Sequence, residues 1–284
     1  MVTTHCYAKK AFRIMKYSTG IAYSILTLLL LSIIFSSCKK DIPKEPELPP
    51  VKMIKSIKTN DGEIEQNFII KYGLDRQVSY VGSTDLRYGF SYSYMGSHIS
   101  GIEHHAGDLS YGLVLNYSND NTLLNAEFKV KNVAGAVTSF PLTCVKTGDL
   151  ITVATNVSDL TFLELQVSEG KLIKALTNAW YLKNSISFQY NDQKGRVYGN
   201  IIPVFPLKNP ISPATAVLVN ELISLSLQAF SSKQLSAFQT SRFSAILNYT
   251  QNSGDVTSIK CRSEELDTEG NLIKTLKTDI TYTY

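Results

Sequence analysis

The densest group of side chains able to do chemistry lies in one short stretch, which holds His98, Glu103, His104, His105 and Asp108. Imidazole nitrogens and carboxylate oxygens are ligands of zinc, and they also serve in acid–base catalysis. On an extended strand His98 and His104 share one face while Glu103 and His105 share the other, so at most two or three of these groups can meet one ion without a neighbouring strand. The stretch predicts a candidate metal site at His98, His104 and His105, and a solvated hairpin tip explains the same cluster equally well.

Aromatic side chains offer a second kind of chemistry, because the chain has 16 tyrosines and one tryptophan. Such rings can stack on sugar faces, and they can equally pack a sheet while the hydroxyl group reaches water. A glycan-binding surface is predicted at Tyr92, Tyr94, Tyr111, Tyr117, Trp180 and Tyr181.

Sequence motifs of catalysis are missing from the chain. It has no Gly-x-Ser-x-Gly elbow, no His-Glu-x-x-His pair, no glycine-rich phosphate loop and no Cys-x-x-Cys. We therefore expect a protein that is not an enzyme and uses no cofactor. An envelope hydrolase, with Glu103 and Asp108 converging in a deep pocket, is the alternative.

The first 50 residues carry a targeting signal. Residues 21–35 are nearly all apolar, a length that fits a signal-peptide core and falls short of the ~20 residues that a membrane-spanning helix needs. The residues Phe35-Ser36-Ser37-Cys38 resemble the lipobox of bacterial lipoproteins, in which a peptidase cleaves before the cysteine and the cysteine is acylated. The resemblance implies a signal peptide over residues 1–37, with Met15 as the expected start of translation, and a lipid on Cys38. An uncleaved anchor is the alternative.

The segment after the cleavage site predicts a tether. Residues 38–52 hold four prolines in a mostly charged background, a composition that stays extended and solvated. Residues 53–284 are then expected to form a single β domain. Cleavage also removes four cations and no acidic residue, which leaves 24 basic against 24 acidic residues. A neutral mature chain gives no support for nucleic-acid binding.

The body of the chain has an internal repeat, in which an apolar strand ends in tyrosine, turns over a few polar residues and resumes with aliphatic residues. The strands of the five units end at Tyr72, Tyr94, Tyr117, Tyr190 and Tyr249. Glycine, asparagine and aspartate in the turns tolerate positive φ, as hairpin turns require. A further turn over residues 267–271 leads to a last strand ending at Tyr284. The repeat predicts an all-β fold, an antiparallel meander that forms a strongly curved sheet or barrel.

One segment departs from the β pattern. Ser212 can cap and Pro213 can open a helix that runs to about Phe230. Glu221 is its single charge and apolar residues cover most of its surface, so the helix must be largely buried. It is expected against the concave face of the sheet or inside the barrel, as core filler or as a lid over an apolar cavity. Residues 231–234 resemble a capping box and predict a short second helical turn.

Two cysteines, Cys144 and Cys261, belong to the predicted β domain. A disulfide between them is chemically allowed in an envelope compartment, although nothing in the sequence places the two together. Cys261 has the same strand parity as Ile259, which favours a buried thiol.

The chain resembles a group of uncharacterised lipoproteins of Bacteroidota. The resemblance rests on the Ser-Cys-Lys-Lys-Asp lipobox, on the tyrosine-turn-glycine hairpins at residues 190–197 and 249–259, and on Asn209-Pro210 ahead of the helix. It spans residues 60–284 and implies a porin-like or barrel-like domain of unknown function. No activity comes with it.

The leading hypothesis for function is a non-catalytic lipoprotein of the outer membrane that binds a glycan, a lipid or a protein partner. The first alternative is a lipid carrier whose apolar cavity is closed by the helix, and the second is the envelope hydrolase. A third alternative is a membrane-inserted barrel, because the last strand alternates and ends in an aromatic residue at Tyr284, as in outer-membrane barrels. The periplasmic face and the cell surface are both compatible with the lipobox.

Overall fold

The computed structural model describes residues 52–155, 163–179, 182–196, 198 and 213–284. Within these residues the chain forms sixteen strands and one helix. The strands are β1 Ser56–Asn60, β2 Glu65–Tyr72, β3 Val78–Gly82, β4 Tyr88–Met95, β5 His98–Ala106, β6 Leu109–Tyr117, β7 Leu123–Lys131, β8 Val137–Thr147, β9 Leu150–Thr155, β10 Leu163–Ser168, β11 Lys171–Ala179, β12 Leu182–Lys194, β13 Lys233–Gln239, β14 Phe243–Asn252, β15 Asp255–Leu266 and β16 Leu272–Thr283. The helix, α1, is Pro213–Ala229.

The sheet closes on itself. Each strand pairs antiparallel with its neighbours in chain order, and β1 also pairs with β16, from Ser56 opposite Thr283 to Asn60 opposite Asp279. Closure leaves no strand edge unpaired, which removes the hazard that an open edge presents. The predicted all-β meander with one helix is therefore confirmed, and it takes the form of a sixteen-stranded barrel.

Side chains alternate along the strands between an apolar inner face and a mostly polar outer face. On β15, Ile259 and Cys261 are buried while Lys260 and Arg262 are exposed. The same alternation gives an apolar core that contains Phe90, Ile102, Leu113, Phe128, Leu165, Ile186, Phe238, Leu247 and Ile280. It gives an outer wall that carries Lys58, Lys71, Glu103, Asn116, Lys131, Thr143, Ser187, Gln189, Asn248, Lys277 and Asp279. The barrel is thus filled with apolar side chains and faces outward with polar ones.

Helix α1 lies inside the barrel. Pro213 is its first residue, where a missing N–H group costs no hydrogen bond, and the helix ends at Ala229, within one residue of the predicted end. Leu222, Ile223 and Leu225 are at most 1% exposed, and α1 packs against β5, β6, β10 and β11. Because the second half of the helix is buried all around its circumference, it must be enclosed by the sheet. No helix among the described residues is long and apolar enough to cross a membrane.

Two predicted elements differ from the structure. The fourth repeat is not a hairpin, since β12 continues to Lys194 and pairs with β13, which follows the helix. The second helical turn predicted over residues 231–234 is wrong as well, because Ser231 forms a β-bridge with Lys171 and β13 begins at Lys233. In both places backbone pairing within the closed sheet outweighs the local turn and capping signals.

The strand-ending tyrosines close one end of the barrel. Each of six hydroxyl groups donates a hydrogen bond to a backbone carbonyl near the start of the preceding strand, in the pairs Tyr72 to Ile54 (2.8 Å), Tyr94 to Val78 (2.8 Å), Tyr117 to Ile99 (3.2 Å), Tyr190 to Leu172 (2.8 Å), Tyr249 to Leu235 (2.6 Å) and Tyr284 to Val256 (2.7 Å). Most of these tyrosines also lie next to register shifts in the pairing with the following strand, for example Tyr94 between β4 and β5 and Tyr117 between β6 and β7. Burial raises the pKa of Tyr117 to about 12. We call this end of the barrel, where the even-numbered strands finish, the tyrosine end.

Candidate functional site

A polar cluster lies on the outer wall of the barrel across β4, β5 and β6. Cross-strand pairing places Ser91 opposite Glu103, Glu103 opposite Gly112, and His105 opposite Ser110. Since all five residues share the outward parity, their side chains and the bare backbone of the glycine form one continuous surface.

Three side chains of this cluster stand in an order that resembles a hydrolytic triad. The Ser91 Oγ atom lies 2.9 Å from Nε2 of His105, at hydrogen-bond distance. The Nδ1 atom of His105 lies 3.8 Å from the nearer carboxylate oxygen of Glu103, which is too long for a hydrogen bond. Ser91, Glu103 and His105 all lie within the paired parts of the ladder, where backbone N–H groups are used in strand pairing and not in an oxyanion hole. The arrangement suits the binding of polar groups better than nucleophilic catalysis.

A groove of about 270 Å³ runs over the same wall from β4 to β8. We call it the outer groove. Its lining consists of Ser91, Ser93, Gly101, Ile102, Glu103, Ser110, Gly112, Leu113, Val114, Lys129, Lys131 and Val137. Hydroxyl groups, one carboxylate and two ammonium groups therefore line a concave surface. The groove is deepest at its two glycines, which have no side chain to fill it.

A second polar contact ties the helix to the inner wall. The Nδ1 atom of His104 lies 2.8 Å from a carboxylate oxygen of Glu221, with both side chains less than a fifth exposed. The imidazole ring stacks on Phe90, with ring centroids 4.3 Å apart. Burial, and secondly the nearby charge of Glu221, raises the pKa of Tyr111. This contact orients α1 inside the barrel.

A neutral hydrogen bond makes a second contact of this kind about two turns further along the helix. The Tyr92 hydroxyl group donates to the side-chain oxygen of Gln228 across 2.6 Å in the buried interior. Glu221 and Gln228 of α1 therefore each meet a polar residue of β4 or β5, and these two polar pairs in an apolar core help to specify the register of the helix against this wall.

The three histidines are not brought together. His104 points inward to Glu221, His105 lies on the outer wall beside Ser91, and His98 is near Tyr117 at the tyrosine end, six residues away along β5. The described residues contain no group of three or more His, Cys, Asp or Glu side chains placed to hold a metal ion. The predicted site at His98, His104 and His105 is therefore not assembled, because successive residues of a strand face opposite sides of the wall. The stretch does form a hairpin, with its tip at Gly107.

The predicted aromatic surface is not assembled either. Tyr92 and Tyr111 are 6% and 9% exposed and belong to the barrel core. Tyr94 and Tyr117 are half-buried at the tyrosine end, where their hydroxyl groups bond to backbone carbonyls. An exposed stacking face built from these four rings is inconsistent with their inward parity. Trp180 and Tyr181 lie outside the described residues.

The cysteines are separate. Cys144 and Cys261 are both free thiols, on β8 and β15, seven positions apart around the barrel. Burial raises the pKa of each thiol to about 11. The buried thiol predicted for Cys261 is confirmed, since the residue is 4% exposed. Cys38, the signal peptide and the proline tether lie outside the described residues except for Lys52.

Sequence reasoning missed the glycines, serines and lysines of the outer groove. One signal was available, since Gly101 and Gly112 interrupt apolar strands at positions of outward parity. Glycine weakens a strand interior, and it often marks a bulge or a place where another group approaches the backbone. Only the pairing of β4 with β5 and of β5 with β6 shows that the two glycines adjoin each other and the hydroxyl groups.

Comparison with known proteins yields similarity to solved structures alone. No family model matches the chain, and no curated protein matches it. A porin-like protein from Bacteroides vulgatus ATCC 8482 is 14% identical with a TM-score of 0.42, covering 81% of this chain and 98% of that chain. A porin-like protein from Bacteroides uniformis ATCC 8492 is 11% identical with a TM-score of 0.39, covering 81% of this chain and 96% of that chain.

Proposed function

We propose that this chain is a non-catalytic binding protein of the outer membrane, of the Bacteroidota lipoprotein type, held there by a lipid on Cys38 while its barrel stays in water. The observation that carries the proposal is the polar outer wall of the barrel. The lipobox-like residues Phe35 to Cys38 supply the anchor, and the wall supplies the binding surface.

The wall argues against the alternative of an inserted barrel. A membrane-spanning barrel needs an outward apolar band about 25 Å tall, and an Arg or Lys on its lipid face costs about 2–4 kcal/mol at the midplane. Here Lys71, Lys131, Lys260 and Arg262 are among the exposed outward residues. Most apolar side chains face inward, and exposed apolar residues such as Val145 and Ile246 are scattered among polar ones. The alternation is the reverse of the one that lipid requires.

The interior favours binding at the wall over the carriage of a lipid inside. A carrier needs apolar space for an acyl chain, whereas α1 occupies the barrel and presses Leu222, Ile223 and Leu225 against the surrounding strands. The helix acts as core, and removing it would expose a large apolar surface. The outer groove is then the concave surface best placed to meet a partner.

The proposal is tested by labelling and fractionation. In a Gram-negative host grown with labelled palmitate, we expect the full chain to carry the label and to fractionate with the outer membrane. Cys38→Ala should lose the label, and Cys144→Ala should keep it as the matched control. Replacing residues 1–38 with a cleavable, non-lipoprotein signal peptide should release the barrel into the soluble periplasm without detergent. Retention of that unlipidated barrel in the membrane would refute the proposal.

A further inference from the structure

We propose that the outer groove binds an acidic saccharide, with its anionic group at Lys131 and Ser110 and its hydroxyl groups toward Glu103 and the serines of β4. This inference rests on the proposed function, since it names the ligand class of a wall that must face water. Five observations on the described residues lead to it.

The first observation concerns Ser110, at the floor of the groove. This residue is 8% exposed, and its hydroxyl group has no hydrogen-bond partner among the described residues. A ligand that reaches the floor of the groove would satisfy it.

The second observation concerns charge beside that hydroxyl group. Lys131 lies directly opposite Ser110 in the register of β6 and β7, so their Cβ atoms are about 5 Å apart. Lys131 forms no ion pair with any described residue, whereas Lys129 is paired with Glu127 at 2.9 Å. An unpaired ammonium group next to an unpaired hydroxyl group is suited to a carboxylate or another small anion.

The third observation concerns the glycine that makes the groove deep. Gly112 has an ordinary backbone conformation, and a Cβ atom there would meet only Cβ of Lys129 at 3.6 Å and the carbonyl oxygen of Ile102 at 3.9 Å. Local geometry therefore does not require glycine at this position, although glycine weakens the strand. A ligand that occupies the space above Gly112 would explain why the position lacks a side chain.

The fourth observation concerns the opposite side of the groove. Glu103 is a carboxylate acceptor, and Ser91 and Ser93 supply hydroxyl groups that both donate and accept hydrogen bonds. Neighbouring strands are about 4.8 Å apart, so the groove extends roughly 14 Å from β4 to β7. Acceptors and hydroxyl groups at one end, with a cation at the other, match a short saccharide that carries one negative charge.

The fifth observation separates a saccharide from an acidic peptide. A peptide commonly binds a sheet by adding a strand to a free edge. The strands under the groove are each paired on both sides, so they offer no such edge. The groove instead presents serine, glutamate and lysine side chains beside apolar residues such as Val114 and Val137. This mixture suits a saccharide ring, which combines hydroxyl groups with an apolar face.

The test is calorimetry on the full chain purified in a mild detergent, with three acidic probes: digalacturonate, dimannuronate and sialyllactose. Their neutral counterparts are galactobiose, mannobiose and lactose. We expect at least one acidic probe to bind at least 10-fold more tightly than its neutral counterpart. Gly112→Val and Lys131→Gln should each weaken that binding at least 10-fold, because one fills the groove and the other removes the cation.

Matched controls lie on the far side of the barrel. Lys260→Gln removes a cation from the outer face of β15, and Asn248→Val places a valine on the outer face of β14. Both should alter affinity less than twofold. If Gly112→Val fails to fold, Gly112→Ala, which adds a single methyl group, takes its place in the test.

Failure to bind any of the three acidic probes would overturn the inference. Equal binding of the neutral counterparts, or unchanged affinity in the folded groove variants, would overturn it as well. Labelling and fractionation do not depend on these results, so failure here is distinguishable from failure of the proposed function.

Discussion

The tyrosine end allows a stability prediction that separates hydrogen bonding from ring packing. Tyr117 on β6 and Tyr249 on β14 donate to the carbonyls of Ile99 and Leu235 across 3.2 Å and 2.6 Å. Replacing either tyrosine by phenylalanine keeps the ring in the core and removes only the hydroxyl group. A net hydrogen bond is worth about 0.5–1.5 kcal/mol, and the carbonyl loses its side-chain partner in a half-buried place, so we expect each variant to lose about 1 kcal/mol of unfolding free energy.

The two sites also test additivity. β6 and β14 are eight positions apart in a ring of sixteen strands, hence on opposite sides of the barrel. Effects at sites this distant add to within about 0.5 kcal/mol, so the variant with both Tyr117→Phe and Tyr249→Phe should lose about 2 kcal/mol. For a domain of roughly 150–250 residues each kcal/mol lowers the melting temperature by about 2–4 °C.

The assay is urea unfolding followed by far-ultraviolet circular dichroism on the unlipidated barrel. Tyr88→Phe is the matched control, because Tyr88 is 54% exposed and its hydroxyl group has no hydrogen-bond partner among the described residues. It should change stability by less than about 0.5 kcal/mol. If Tyr117→Phe and Tyr249→Phe are no more destabilising than Tyr88→Phe, the tyrosine hydrogen bonds do not hold that end of the barrel.

Three further predictions concern the core and the wall. Leu225→Ala on α1 should destabilise the barrel by about 2–5 kcal/mol in urea unfolding. Val217→Ala, at a 47% exposed position of the same helix, should cost well under half as much. Equal effects of the two substitutions would contradict the buried helix. Burial raises the pKa of Cys261 from 9.0 to about 11, so the neutral thiol contributes its full stabilisation below pH 9. About 2–3 kcal/mol of the unfolding free energy is lost as the pH rises through 11. Urea unfolding at each pH should show this loss in the parent chain and not in Cys261→Ala. Gly89→Ala should unfold the barrel or lower its melting temperature by many degrees, because φ is +145° and a Cβ atom would overlap the Val81 carbonyl oxygen, whereas Gly112→Ala should have little effect on melting.

Much of the local structure followed from the sequence. Helix α1 was predictable because Pro213 suits the first helical position, and because a segment with one charge, Glu221, can be stable only when buried. The hairpin turn at Ser253-Gly254 was predictable because glycine adopts positive φ without strain and is common in such turns. In the structure both residues are indeed at positive φ. Turn chemistry and apolar periodicity act over a few residues, so these features can be recognised without a partner strand.

The candidate site was much less predictable. The alternation of side chains along a strand correctly predicted that His104 and His105 lie on opposite faces of the sheet. It did not show which face is inside the barrel or that Glu221 meets His104. The strand-ending tyrosines form a recognisable repeat, for which the sequence allows both sheet packing and, at Tyr94 and Tyr117, a glycan-binding surface. The sequence does not show that their hydroxyl groups meet carbonyls on the neighbouring strand. Ser110 carried no signal of its own, and Gly112 was marked only by its interruption of an apolar strand.

The sequence by itself determined the strands, most turns and the buried helix, since these depend on backbone preference and on the spacing of apolar residues. The tertiary structure alone decided that β1 meets β16, that the polar face is the outer one, and that Ser110 lies beside Lys131. These outcomes depend on register and closure, which join residues far apart in the chain. A shift of one residue in any pairing would turn that strand's polar side chains inward, so burial of the apolar face in one closed barrel fixes the site.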